Sequence, residues 1–192
     1  ELICGANFIS PNKDEFGLFF AKTAALRSLD LSRQVGAAIF TPDGEVISVG
    51  CNEVPKAFGG PYWCDETVDD RDYIRGYEPN DQRKEELLSE VIEKIAPNLP
   101  DDERELLLKE MSNTRFMDAL EYGRIIHAEM AAITEAARMG RALRASVLFC
   151  TTFPCHLCAK HIVASGVRKV VFLEPYPKSL AEHLHSDSIS IE

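Results

Sequence analysis

The chain has 192 residues, 45% of them apolar and 27% charged, a balance that supports a folded domain with a full hydrophobic core and excludes a disordered or collagen-like chain. No apolar run approaches the roughly 18 residues that a membrane span requires, so no membrane association is expected. The formal charge of −10 argues against an extended nucleic-acid partner, because phosphate affinity rests on clustered Lys and Arg. Residues 65–122, however, hold 18 acidic and 8 basic side chains and so carry the whole excess, while the other 134 residues hold 13 of each sign. A site outside 65–122 can therefore still take a small anion.

In chain order, Asn12 stands three residues before Glu15, the spacing of a capping box, and Phe16, Phe19, Phe20, Thr23, Ala24 and Leu26 follow at helical spacing. A first helix is expected to run to about Leu29. Residues 35–40 and 45–50, joined by the turn sequence Thr41-Pro-Asp-Gly44, read as a β-hairpin. Between 65 and 122, charged clusters alternate with Leu87, Leu88, Val91, Ile92 and Ile95, then Leu106, Leu107, Leu108 and Met111, with Pro97 and Pro100 between the two groups. This is a helical insertion broken in the middle, expected either to cover the site or to pack on a neighbouring subunit, so that a homo-oligomer is expected. Residues 128–139 then read as a helix, 145–150 as a strand, 155–165 as a helix and 169–173 as a strand. Such a crossover implies parallel pairing, which with the hairpin makes a mixed sheet in a single α/β domain, 1–192.

The cysteines are Cys4, Cys51, Cys64, Cys150, Cys155 and Cys158, and no charged start with an apolar middle marks a secretory signal. One tight pair without a disulfide framework points to a metal or redox site in a reducing compartment, hence a cytoplasmic location. Because the first residue is Glu, the sequence is expected to be part of a longer chain.

His127-Ala-Glu129 opens one helix and Pro154-Cys155-His-Leu-Cys158 opens the next. Cys155 and Cys158 are three positions apart and face one side of a first helical turn, where the helix end favours the thiolate form. With His127 they make one imidazole and two thiolates. That donor set suits Zn²⁺, and three protein ligands leave the fourth position open for water, as in catalytic sites. Glu129, two residues from His127, is placed to move a proton between that water and a substrate nitrogen. His156 and His161 could add ligands but read better as a surface and a packing histidine, and Cys51 and Cys64 as buried thiols. Non-catalytic zinc modules for protein contacts share the Cys-x-x-Cys element and stand as an alternative.

The H-x-E…P-C-x-x-C arrangement resembles that of zinc-dependent nucleobase deaminases, in which the Glu is acid/base and not a ligand. Arg33-Gln-Val-Gly-Ala-Ala-Ile39, Gly50-Cys-Asn52-Glu-Val-Pro55, His127-Ala-Glu129 and Thr151-Thr-Phe-Pro-Cys-His-Leu-Cys-Ala-Lys160 are most similar to the deoxycytidylate branch of the cytidine deaminase superfamily. The resemblance covers about 19–173, apart from the insertion. It implies a three-layer α/β/α sandwich and hydrolytic deamination of dCMP or dCTP at C4 of the cytosine, with Glu129 protonating N3 and then the leaving amine. It also implies that Asn52 contacts the sugar or base and that Arg33 lies near the phosphate. Tyr176 and Lys178 follow the last strand, at the strand end where open α/β sheets bind ligands, and are further candidates for substrate binding.

Cys51 and Glu53 stand where the family usually has Tyr and Gly, in a loop associated with allosteric nucleotide binding in family members. The insertion and Gly59-Gly-Pro-Tyr-Trp63 resemble the deaminase domains of bacterial anti-phage dCMP/dCTP deaminases, where such a domain follows an NTPase-like region. A tRNA or polynucleotide deaminase, sharing the zinc motif, is the rival enzyme. It needs a basic, aromatic-bearing groove that a neutral core with an acidic insertion does not offer.

Overall fold

The structure, a computed structural model, describes residues 8–112, 114, 117 and 122–191. Cys4 lies outside the described residues. The chain divides into two compact units, Glu1–Asp69 with Ile125–Glu192, and Asp70–Arg124.

In the first unit, α1 (Lys13–Ala25) starts at the capping box that the sequence predicts: Asn12 Oδ1 accepts from Glu15 N at 2.9 Å and Glu15 Oε2 accepts from Asn12 N at 2.8 Å. The helix ends four residues earlier than expected. The Ser28 hydroxyl donates to Asn52 O at 2.7 Å and Leu29 N donates to Glu53 Oε2 at 2.8 Å, so long-range bonds draw the backbone out of the helix.

Strands β1 (Gly36–Phe40), β2 (Val46–Cys51), β3 (Val147–Thr152) and β4 (Lys169–Glu174) form a mixed sheet of order β2-β1-β3-β4. β1 is antiparallel to both β2 and β3, and β3 is parallel to β4. β1 is central and wholly buried, and its alternate side chains serve two cores. Ala38 and Phe40 join Ala21 and Phe149 beneath α1. Ala37 and Ile39 join Leu148 and Cys150 beneath α5 (Ala128–Arg138) and α6 (His156–Ser165). The result is the expected α/β/α sandwich.

Two glycines set how closely the layers approach. A Cβ on Gly36 would lie 2.0 Å from Ala21 O, and one on Gly50 would lie 2.4 Å from Ala128 O. The Ala128, Ala132 and Ala136 stripe, one small residue per turn, is the fully buried face of α5.

The second unit contains α2 (Asp72–Arg75), α3 (Pro79–Ile95) and α4 (Asp101–Met111), with the break between α3 and α4 at the two prolines. Leu88 and Ile92 of α3 are buried, as is Lys84, whose Nζ donates to Met117 O at 2.7 Å and pairs with Asp81. α4 buries no residue, and Leu106 is exposed. Arg124 pairs with buried Asp72 at 2.8 Å and donates to Asp70 O at 3.0 Å, clasping the two ends of the unit together. Residues 65–69, acidic by sequence, group instead with the first unit, where the Glu66 carboxylate pairs with Lys56 and accepts from Trp63 N.

No helix among the described residues is long and apolar enough to cross a membrane.

Candidate metal centre and catalytic site

Both motif helices begin at a proposed ligand. His127 is the N-cap of α5 and Cys155 the N-cap of α6, each in extended backbone conformation (φ −68°, ψ 154° and φ −71°, ψ 165°). Cys155 thus lies one step outside the helix that the spacing predicts, with Cys158 at the third helical position. N-cap and third-position side chains face one another across a helix entrance, so the three-residue spacing still brings the sulfurs together.

His127 Nδ1 lies 3.2 Å from Cys155 Sγ and 3.4 Å from Cys158 Sγ. The three ligand atoms fall within 4.8 Å of one another, the one such group among the described residues. Bond lengths to tetrahedral zinc give nitrogen–sulfur edges of about 3.6 Å, so the set fits the ion with a slight expansion. Glu129, 4% exposed, reaches the same centre, its Oε2 accepting from Cys158 Sγ at 3.5 Å.

The electrostatics are those of titratable groups crowded into one space. The hydrogen bond from Cys158 holds the Cys155 thiol down to about 4, and the hydrogen bond with His127 acts in the same direction. As donor in that bond, and buried beside Glu129, Cys158 is pushed far up. His127 is raised, chiefly by its hydrogen bond with Cys155, and burial raises Glu129. Two cysteines, a carboxyl and an imidazole therefore share protons in one space, where a bound divalent cation would favour the thiolate form of both sulfurs.

The remaining predicted residues gather at the same end of the sheet. Asn52 is buried and fully engaged as a donor, giving its amide hydrogens to Asp30 Oδ2 at 2.9 Å and Arg33 O at 2.7 Å, while its Oδ1 accepts from Val35 N at 2.6 Å. Arg33 projects a half-exposed guanidinium that pairs with Glu174. Tyr176 packs against the core cluster that includes Cys155 and Cys158. The loop bearing Tyr176 and Lys178 is pinned to the α6 entrance by the Ser179 hydroxyl, which donates to Pro154 O at 2.7 Å.

Two residues that the sequence reading passed over organise this end. Asp30 accepts from Ser32 N, Arg33 N and Asn52 Nδ2, a turn that Asp-x-Ser-Arg foreshadows. Glu174 meets Arg33 across 141 positions, for which no local signal exists. Cys51 is buried as expected, but Cys64 is exposed, because it sits in the surface turn closed by Glu66 N donating to Trp63 O. His156 and His161 are half-buried. A cavity of about 500 Å³ lies elsewhere in this unit, against β2 and the outer side of α5; Cys51, Glu53 and Trp63 line it, and none of His127, Glu129, Cys155 or Cys158 does.

An α/β/α sandwich with two helix entrances presenting one imidazole, two thiols and a buried carboxylate defines a nucleobase-deaminase type of hydrolase. The family described as the cytidine and deoxycytidylate deaminase zinc-binding region matches residues 11–174. The deoxycytidylate deaminase of Enterobacteria phage T4 is 32% identical over 150 residues, 77% of this chain and 70% of that protein. A probable deoxycytidylate deaminase of Caenorhabditis elegans is 29% identical over 157 residues, 82% of this chain and 55% of that protein. The crystal structure of dCMP deaminase from cyanophage S-TIM5 superposes with a TM-score of 0.55 at 18% identity, covering 96% of this chain and 98% of that one, and so shares the fold. The chain belongs to the cytidine and deoxycytidylate deaminase family, in its deoxycytidylate branch.

Proposed function

We propose that this chain hydrolyses the exocyclic amine of deoxycytidine nucleotides, dCMP or dCTP, releasing ammonia and the deoxyuridine nucleotide. The observation that carries the reading is the buried Glu129 carboxyl placed against a His127/Cys155/Cys158 set whose spacing fits zinc. The similar cyanophage enzyme has been crystallised with dCMP and dUMP, which supports a nucleotide as substrate.

In this reading His127, Cys155 and Cys158 hold the zinc ion, which when bound makes water nucleophilic near neutral pH. Glu129 takes one proton from the attacking water and delivers it to N3; it then takes the remaining proton of the new C4 hydroxyl and passes it to the amine, so that the C4 carbonyl forms as the C–N bond breaks and ammonia leaves. Its burial favours the protonated form that the second transfer needs. Asn52, held rigidly by Asp30 and Arg33 O, fixes the wall that meets the sugar or base, and its Oδ1 retains one acceptor site. Arg33 and Lys178 receive the phosphate, and Tyr176 closes the side nearest α6.

The same reading takes the chain as one deaminase domain with the acidic insertion set into it, acting in the cytoplasm, in keeping with five described cysteines that form no disulfide. Self-association through the apolar side chains that α4 leaves uncovered belongs to it as well. The likeness of the insertion to anti-phage deaminase domains extends the role to depletion of deoxycytidine nucleotides. Ammonia release measured with dCMP, dCTP, deoxycytidine and a single-stranded oligonucleotide tests the assignment. Nucleotides should be preferred by one to two powers of ten over deoxycytidine per phosphate contact. Faster turnover of the oligonucleotide would favour a polynucleotide deaminase, and zinc retention without any ammonia would favour a structural module.

A further inference from the structure

We propose that Glu174 is a selectivity residue that competes with the substrate's phosphate for Arg33. The inference rests on the reading above that Arg33 meets the phosphate, and it assigns a role to a residue that the sequence reading left without one.

Both backbones that bear the pair are fixed. Arg33 N donates to Asp30 Oδ1 at 3.1 Å and Arg33 O accepts from Asn52 Nδ2 at 2.7 Å, so only the side chain can swing. Glu174 is the last residue of β4, in register with Thr152, and its carbonyl accepts from Phe153 N at 2.8 Å, two residues before Cys155. The guanidinium and carboxylate therefore meet at the sheet end that leads directly into the metal-ligand helix. Their side chains are 50% and 56% exposed, so the pair sits in a high-dielectric setting and exchanges readily.

A phosphate dianion carries more charge and more acceptor oxygens than one carboxylate and matches the guanidinium fork, so it displaces Glu174. Displacement leaves the Glu174 carboxylate facing a like charge. The penalty falls on phosphorylated substrates and not on the nucleoside, and it grows with the number of phosphates. Glu174 thereby moderates the nucleotide preference that Arg33 creates and bears hardest on the triphosphate.

The test is a double-mutant cycle on Arg33 and Glu174, with KM and kcat measured for deoxycytidine, dCMP and dCTP, and with inorganic phosphate titrated calorimetrically. Glu174→Gln should lower KM for dCMP about three- to tenfold, with a smaller change in kcat, should lower KM for dCTP at least as much, and should raise the dCMP-to-deoxycytidine ratio of kcat/KM. Glu174→Ala should move the same quantities in the same direction, and phosphate should bind more tightly to both variants. In an Arg33→Ala background the effect of Glu174→Gln should shrink to less than about twofold, because the carboxylate then has no guanidinium to hold. An unchanged or raised KM for dCMP in Glu174→Gln, or an undiminished effect without Arg33, would overturn the proposal. A wild-type chain that releases no ammonia from any nucleotide would overturn the deaminase reading instead, and the phosphate titration would still decide whether Glu174 screens Arg33.

Discussion

The two compact units of this chain are held together by different physics. In the first, β1 is buried along its whole length, with layers of Ala, Ile, Leu and Phe packed above and below it, and the buried carboxyl groups of Glu53 and Glu129 lie toward the site end. In the second, one apolar stripe, Leu88 and Ile92, is supplemented by ion pairs, Arg124 with Asp70 and Asp72, Arg75 with Asp70, and buried Lys84 with Asp81. Burial stabilises by roughly 25 cal/mol per Å² of apolar surface removed from water, whereas exposed ion pairs contribute about 0–1 kcal/mol each. The unit that holds the candidate site is thus the one stabilised chiefly by apolar burial. The acidic unit supplies area and charge.

The largest effects should come from breaking the rigid unit at its centre. Cys158→Ala should abolish both zinc retention and ammonia release. Glu129→Gln should reduce kcat at least 10²–10⁴-fold while leaving about one zinc per chain, measured by metal analysis of the purified protein beside the kinetic assay. Substantial zinc loss in Glu129→Gln would mean that the carboxylate is itself a ligand.

Packing comes next. Leu148→Ala, at a fully buried position of β3, should cost about 3–5 kcal/mol in denaturant unfolding, and Gly36→Ala about 2–3 kcal/mol, since the new methyl meets the α1 backbone. Leu106→Ala on α4 should cost under about 0.5 kcal/mol in the isolated chain. A larger loss that depends on protein concentration would show that α4 is covered by another subunit.

Removing the clasp should have an intermediate effect confined to the second unit. Arg124→Ala removes the guanidinium that pairs with the buried Asp72 carboxylate and should destabilise that unit by about 2–3 kcal/mol, seen as faster hydrogen exchange in α2 and α3 with β1 and β3 unaffected.

The smallest effect is on pH. The hydrogen bond from Arg75 holds the Asp70 carboxyl below its ordinary value, and the one from Lys94 does the same for Glu90. A depressed carboxylate contributes stability that is fully present above its unfolded value and is lost as pH falls through the lower folded one. Between about pH 5 and pH 3, exchange in α3 should therefore accelerate, after correction for intrinsic rates, more than exchange in β1.

Much of the first unit was legible because its signals are local. The Asn12/Glu15 cap, the hairpin turn at Gly44, and the His-x-Glu and Cys-x-x-Cys spacings each act within a few residues, and each appears as written. What escaped acts across the chain. The end of α1 is set by residues 52 and 53, 24 positions away, and Arg33 is paired with Glu174, 141 positions away but at the same end of the sheet. Asn52 shows the limit within the site itself. The motif points to the residue, but only the fold reveals that both of its amide hydrogens are committed to Asp30 and Arg33 O.

The Arg124 clasp bears on how such an insertion could enter an existing enzyme. A disordered segment of about 55 residues joining two core elements would cost the fold roughly 3–4 kcal/mol of closure entropy by the (3/2)RT ln n rule. With Arg124 bonded to Asp70 O and to Asp72, the ends of the segment are already brought together, and the core sees only a short connection between its own residues on either side. A segment closed on itself in this way asks little of the sheet, and its sequence and charge can vary while the residues of the first unit keep their own packing constraints.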